Sequence, residues 1–194
     1  MARSKEFDEE LVLDKAMDLF WFKGYNGISA QELVDGLSLS RSSLYDTYGD
    51  KRTLFIRALR RYRSKVTGNM ISLLDNAGDV PAVIKAIFQA TAVECLGDNS
   101  PKGCFMVNSR IELAPHDAEI AEIITENRQA IEDGFYKAIK RGQELGQITT
   151  KQSAKALAGF FVNNLWGLKA YSKSEPEKEI IEGTIKIVLS VLEN

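Results

Sequence analysis

Between Ser40 and Lys51 the 194-residue chain carries side chains suited to reading a polar surface rather than to breaking bonds. Arg41, Ser42, Ser43, Tyr45 and Thr47 offer hydroxyl and guanidinium donors with one fixed positive charge. At helical spacing Leu44 turns inward while these five face solvent. A guanidinium matches the two acceptors on a guanine edge, and hydroxyls bond bases more permissively. Ser29, Tyr48 and Lys51 flank the run and are placed for phosphate oxygens, and Ser40 caps the helix that carries it.

Other reactive groups are few. Cys104 follows Lys102-Gly103 in the predicted first turn of a helix, where amide dipoles and a nearby ammonium favour thiolate. Its other reading is a small apolar core residue. His116 is the only histidine and reads as part of a helix start beside Pro115 and Asp117. One His and two Cys, none at metal-ligand spacing, do not supply a zinc site. No nucleophile signature surrounds either Cys and no phosphate-binding glycine loop is present, so neither catalytic residue, metal nor cofactor is expected.

The donors need a frame. Ser29 with Glu32 makes a capping box, and Ile28, Leu33, Val34 and Leu37 form one apolar face of a short helix. Ser38 and Leu39 make a tight turn into the second helix, so the pair reads as a helix-turn-helix. A preceding helix from Asp8 carries Leu13, Ala16, Met17 and Phe20 at helical spacing and ends at Gly24; Trp21 and Phe22 read as packing. Before it, Ala2 to Phe7 is a short polar arm whose Arg3 and Lys5 are candidates for DNA backbone or minor-groove contact.

Over its first 55 residues the chain resembles the TetR family of bacterial transcriptional regulators. The resemblance runs through Leu33, Leu39-Ser40, Leu44-Tyr45, Tyr48, Lys51 and Leu54-Phe55 at fixed spacing, and back to Phe20 and Gly24-Tyr25. Ser38 departs from the usual turn Gly, which predicts a non-glycine residue in left-handed conformation. Ser42 replaces a common Gly, and Thr47 the Tyr or His that often touches phosphate. The resemblance implies an all-α fold: an N-terminal three-helix DNA-binding domain joined by a long helix to a C-terminal helical domain for ligand binding and dimerisation. We place the boundary after residue 48, giving 1–48 and 49–194. A branch of the family has a Gly-Cys-x-x-x-Asn segment like Gly103, Cys104 and Asn108, and some members sense electrophiles or oxidants through that cysteine.

The charge is unevenly spread. The formal net charge is −2, yet residues 1–65 hold 12 Lys+Arg against 10 Asp+Glu, leaving 13 against 17. Ser40 to Lys65 alone has eight basic residues and two acidic ones, the footprint of local phosphate contact or, more plainly, a solvated helix face. No apolar run approaches the ~20 residues needed to span a bilayer, and the N-terminus has no signal-peptide core. Cys95 and Cys104 make no disulfide framework. A cytoplasmic protein is expected, with no membrane partner.

From Lys51 one helix is predicted to run to Leu74, roughly 36 Å, linking the DNA-binding head to the remainder. Helices are then expected to about Leu96, from Gly103 to Leu113, and from Pro115 to the glycines at 142–146. Thr150 to Lys173 is apolar almost all round. The last helix has two stripes: Ile181, Ile185, Val188, Leu192, and Ile180, Thr184, Ile187, Val191. Such a pair needs a second surface, so the dimer interface is expected at Phe160, Leu165, Ile181, Ile185, Val188 and Leu192. Phe88, Cys104, Met106, Asn108, Phe135, Phe161, Asn163 and Trp166 are candidates for a site taking a largely apolar small molecule. The expected function is a ligand-relieved repressor that binds a near-palindromic double-stranded operator as a homodimer. Alternatives are a thiol-based sensor acting through Cys104 and a helical ligand-binding module without specific DNA binding.

Overall fold

Every regular element among the described residues is helical. The computed structural model describes residues 7–97, 102–174 and 176–193, so Arg3 and Lys5 of the arm lie outside it. The helices are α1 (Glu9–Lys23), α2 (Ala30–Leu37), α3 (Arg41–Tyr48), α4 (Lys51–Tyr62), α5 (Gly68–Asp75), α6 (Val80–Leu96), α7 (Phe105–Glu112), α8 (Ala118–Glu144), α9 (Ala154–Tyr171) and α10 (Lys178–Ser190).

Local chemistry starts most of them. Asp8, Ser29, Ser40, Asp50, Asp79, Asp117 and Ser153 each accept from a backbone amide in the first turn of the following helix. Each such cap is worth about 1 kcal/mol. Gly24, at φ 76°, ends α1 in a conformation that a side chain would strain. Cys104 is the N-cap of α7 and not a first-turn residue, and its side chain makes no capping bond.

The predicted rod from Lys51 is continuous but not uniformly α-helical. Arg63–Thr67 forms a π turn between α4 and α5, where the Gly68 amide reaches back five residues to the Arg63 carbonyl. Tyr62, Val66, Thr67 and Met70, in and around this turn, line one small chamber. π turns inside α-helices concentrate at functional sites because they locally re-aim side chains.

Two cores result. In the first, Phe20, Ile28, Leu33, Leu44 and Phe55 of the N-terminal helices pack with Phe105 and Met106 of α7 and with Ile120, Ile123 and Ile124 of α8. The second gathers Leu74, Phe88, Phe135, Phe161, Leu165 and Ile181. At 27 residues α8 is long enough to serve both, and Trp166 of α9 packs against both. The head is therefore closed by residues far along the chain, which local patterning does not reveal.

The C-terminal hairpin corrects the expected interface. Leu165, Ile181, Ile185, Val188 and Leu192 are buried inside the chain's own core, because that stripe of α10 packs on α6 and α9. The other stripe is left outward: Ile187 is 68% exposed and Ile180 46%, with Phe160 of α9 at 37%. Of the residues expected at the interface, Phe160 alone keeps a solvent-facing surface.

Candidate nucleic-acid interface

The head is built to hold one short helix rigidly. The capping box forms as predicted: Ser29 Oγ accepts from the Glu32 amide at 3.1 Å, and Glu32 Oε2 accepts from the Ser29 amide at 2.8 Å. Ser38 sits at φ 56°, ψ 38°, the left-handed conformation the missing glycine implied. Ser40 then caps α3, accepting from the Ser43 amide at 3.1 Å, and its hydroxyl lies 3.0 and 2.8 Å from those of Ser42 and Ser43. Leu44 is buried, which turns Arg41 and Ser42 to solvent and leaves Ser43, Tyr45 and Thr47 half-exposed. The Arg41 guanidinium lies 6.0 Å from the Tyr45 ring centre and makes no ion pair among the described residues. Its donors are therefore available to a base edge.

Two contacts set the angle of this platform. Glu112, the last residue of α7, accepts from the backbone amides of Tyr25 and Asn26 at 3.1 and 2.7 Å, pinning the turn between α1 and α2. Behind that turn Phe55 meets Phe20 and Tyr25 edge to face at 5.0 and 5.2 Å. Lys51 donates to the Ile28 carbonyl at 2.5 Å and lies 4.6 Å from the Tyr25 ring, which keeps its charge beside the start of α2. Nothing in the sequence pattern marked Glu112, because its partners are backbone amides 86 and 87 residues away.

Two expectations about phosphate contact are overturned. Tyr48 is buried and its hydroxyl donates to the Glu9 carbonyl at 3.1 Å, so that donor is spent inside the head. The basic segment is mostly spent likewise. Arg61 pairs with Glu10 and Asp14, Lys65 with Asp14, Arg63 with Glu126, Arg60 with Glu119, and Arg52 with Asp117 and Glu119. Arg61 and Lys65 together hold the Asp14 carboxyl down at about 2. These charges tie α4 and the π turn after it to α1 and α8; a count of basic residues could not separate that role from DNA contact.

The effector candidates do not share one cavity. Phe88, Phe135 and Phe161 pack ring against ring in the second core at 5.7 and 5.8 Å. Met106 lies in the first core, Asn108 donates to the Lys102 carbonyl at 2.8 Å, and Asn163 faces solvent. Phe22, read as packing, is 52% exposed. Cys104 and Trp166 do line one small chamber of about 30 Å³, with Tyr62, Asn127 and Lys169. The Tyr62 hydroxyl donates to Cys104 Sγ at 3.5 Å; burial, then the adjacent sulfur, pushes its pKa well above the ordinary tyrosine value and keeps it a donor. The ammonium expected beside Cys104 is elsewhere: Lys102 bonds Asp18 at 3.2 Å and lies over the Trp21 ring.

Asn127 and Lys169 were missed, though a signal existed. Each interrupts an apolar helical stripe, Asn127 between Ile124 and Ile131 and Lys169 beside Leu165 and Leu168. A polar residue at such a position is buried and must find a partner. Lys169 finds Glu94. Asn127 Oδ1 has none.

Known proteins give the same arrangement. Residues 12–58 match the family model for bacterial regulatory proteins of the tetR family. The chain is 34% identical over its whole length to all of the HTH-type transcriptional regulator YezE of Bacillus subtilis. It is 30% identical to the HTH-type transcriptional repressor ComR of Escherichia coli over 81% of this chain and 76% of that one. Among solved structures it resembles a cysteine mutant of the TetR family regulator CifR complexed with 26 bp of operator DNA: TM-score 0.86, 25% identity, 98% of this chain and 100% of that one covered. Sequence over the whole chain and fold over 98% of it agree: the chain belongs to the TetR family of bacterial regulatory proteins and is a helix-turn-helix transcriptional regulator.

Proposed function

We propose that the chain is a repressor that binds a near-palindromic operator as a homodimer and is released by a small-molecule effector. The observation that carries this reading is the pairing of two surfaces: an outward donor face on α3 and an outward apolar stripe on α10. Ile180 and Ile187 repeat at helical spacing and stay exposed among the described residues, and a second copy of the same hairpin covers them under two-fold symmetry. That dimer presents two recognition helices about 34–36 Å apart, one turn of B-DNA. Arg41, Ser42, Ser43, Tyr45 and Thr47 read bases; Ser29, Ser40 and Lys51 take phosphates. Residues 1–48 form the DNA-binding unit and 49–194 the effector and dimer unit. ComR, DhaR and BdcR, relatives of this chain, are named repressors, which supports the sign of regulation. Among the described residues no helix is long and apolar enough to cross a membrane, which fits a cytoplasmic regulator.

Selection of bound fragments from genomic DNA, followed by sedimentation of the protein alone and on a selected duplex, tests the reading. The expected result is a dimer with a two-fold related consensus. A monomer, or equal affinity for every duplex, would sink it.

A second reading has its own observation. Cys104 Sγ accepts a hydrogen bond from Tyr62, borders the small chamber and packs in the core that joins the head to α7 and α8, so its oxidation would disturb that core. In this reading the signal is modification of Cys104; Cys95, whose thiol burial pushes up, stays inert. Mass-mapped labelling of the native protein tests it: no modification of Cys104, or modification without change in operator affinity, removes it.

A further inference from the structure

Taking the effector-relieved reading as given, we propose that the effector is a small anionic amphiphile. Its carboxylate replaces Glu94 on Lys169, and its apolar body lies in the groove between α5 and α6.

Lys169 is an unusual place to keep a charge. It is 7% exposed, beside Leu165 and Leu168 on the buried face of α9, and its one counter-ion among the described residues is Glu94. A buried ammonium must be neutralised where it sits. The two partners are unequal, however: the Glu94 side chain is 57% exposed and can return to water, whereas Lys169 cannot. An incoming carboxylate leaves the local charge balance unchanged and adds apolar contact that Glu94 lacks.

Space for that contact is present. Lys169 borders three cavities at once: the chamber of about 30 Å³ with Asn127, a recess of about 210 Å³ beside Trp21, and the α5/α6 groove of about 520 Å³. The groove is within the size range of small-molecule sites. Met70, Leu73, Val83, Ala86, Ile87 and Ala90 form its apolar wall, and Leu73 is left 58% exposed. Charge at one end with an apolar wall beyond it defines an amphiphile rather than an inorganic anion. Asn127 supplies a second, independent sign: it is 1% exposed, lines the chamber with Lys169, and its Oδ1 has no partner. A flip of its amide exchanges that unpaired acceptor for an N–H donor in the chamber that Lys169 also lines.

The site is wired to the head. A Cβ on Gly103 would stand 2.9 Å from the Lys169 carbonyl, so α9 and the entry to α7 touch there without room to spare. On its other side the Gly103 carbonyl accepts from Trp21 Nε1 of α1 at 3.2 Å. Movement of Lys169 toward a ligand thus shifts both α1 and the helix whose end, Glu112, holds the turn before α2.

Octanoate, octanol and octylamine share a tail and differ in head group, and they are the probes. The chain has two tryptophans, Trp21 and Trp166, and both border cavities that Lys169 lines, so intrinsic fluorescence reports binding directly. Octanoate should bind at least about tenfold tighter than the other two. Lys169→Met should weaken octanoate by about tenfold or more. Glu94→Gln should do the opposite and tighten it, because the competing carboxylate is gone. Glu94 is on the surface, so this variant carries the test if circular dichroism shows that Lys169→Met has not folded. Equal binding of octanol and octanoate, or weaker octanoate binding in Glu94→Gln, overturns the proposal: the pair would then be a structural strut. Fluorescence anisotropy of an operator duplex separates the two readings. Lys169-dependent octanoate binding without operator release would keep the anion site and overturn its role as the effector site.

Discussion

Arg52 and Asp117 grip each other through two parallel hydrogen bonds, Nε to Oδ2 at 2.7 Å and Nη2 to Oδ1 at 2.9 Å. The same Oδ1 caps α8 by accepting from the Ile120 amide at 3.2 Å. One carboxylate therefore starts the longest helix and bolts it to the first turn of α4, directly after the recognition helix. Arg52 reaches Glu119 as well, at 2.9 Å. The hydrogen bonds from the Arg52 guanidinium hold the Asp117 carboxyl below its usual range.

Asp117→Ala removes both functions and should destabilise the protein by about 1–2 kcal/mol, the sum of a helix cap and a partly exposed ion pair. Asp117→Asn keeps an acceptor for the cap and should lose less than half of that. Urea unfolding of the three proteins checks the order. Equal stability for Ala and Asn would show that the cap contributes nothing.

On the recognition helix the two cations should fail differently. Arg41→Ala should lose about 1–3 kcal/mol of discrimination at one base position while binding scrambled duplexes almost normally. Lys51→Ala should weaken all duplexes alike and lower the salt slope by about 1. Titrations of operator and scrambled DNA at several salt concentrations distinguish these outcomes, and a uniform loss from both variants would contradict the assignment.

The two faces of α10 give opposite phenotypes. Ile187→Glu, at a position 68% exposed, should leave the chain folded but monomeric, with operator affinity reduced by at least about a hundredfold through lost bivalency. Ile181→Glu, at 0% exposed, should unfold it, since the buried carboxylate has no partner. Sedimentation and circular dichroism read both. A folded Ile187→Glu dimer would move the interface elsewhere.

Acid should loosen the join between α1 and α4. The Asp14 carboxyl is lowered from 3.8 to about 2, chiefly by its hydrogen bonds with Arg61 and then Lys65. A depressed carboxylate stabilises the fold above its unfolded pKa and loses that contribution as pH falls through the folded value, here between 3.8 and about 2. Asp14→Asn should be less stable than the parent at neutral pH and converge on it near the acid end. Urea midpoints across that pH range test the convergence; a constant gap would place the ionisation elsewhere.

By itself the sequence determined the helix-turn-helix almost atom by atom. Its capping box, the left-handed Ser38, the Ser40 cap and the outward donors of α3 all depend on residues within four positions of each other, and such local energies are written in short words. It also determined that α10 has one apolar stripe too many. Tertiary structure alone decided which stripe is spent internally, because that depends on what α6 and α9 offer opposite it. Packing likewise decided that Tyr48 and most of the basic segment serve the interior, since their partners come from α1 and α8. Glu112, Asn127 and Lys169 belong with these: a side chain's meaning there is set by a neighbour dozens of residues away, and no local period encodes that distance.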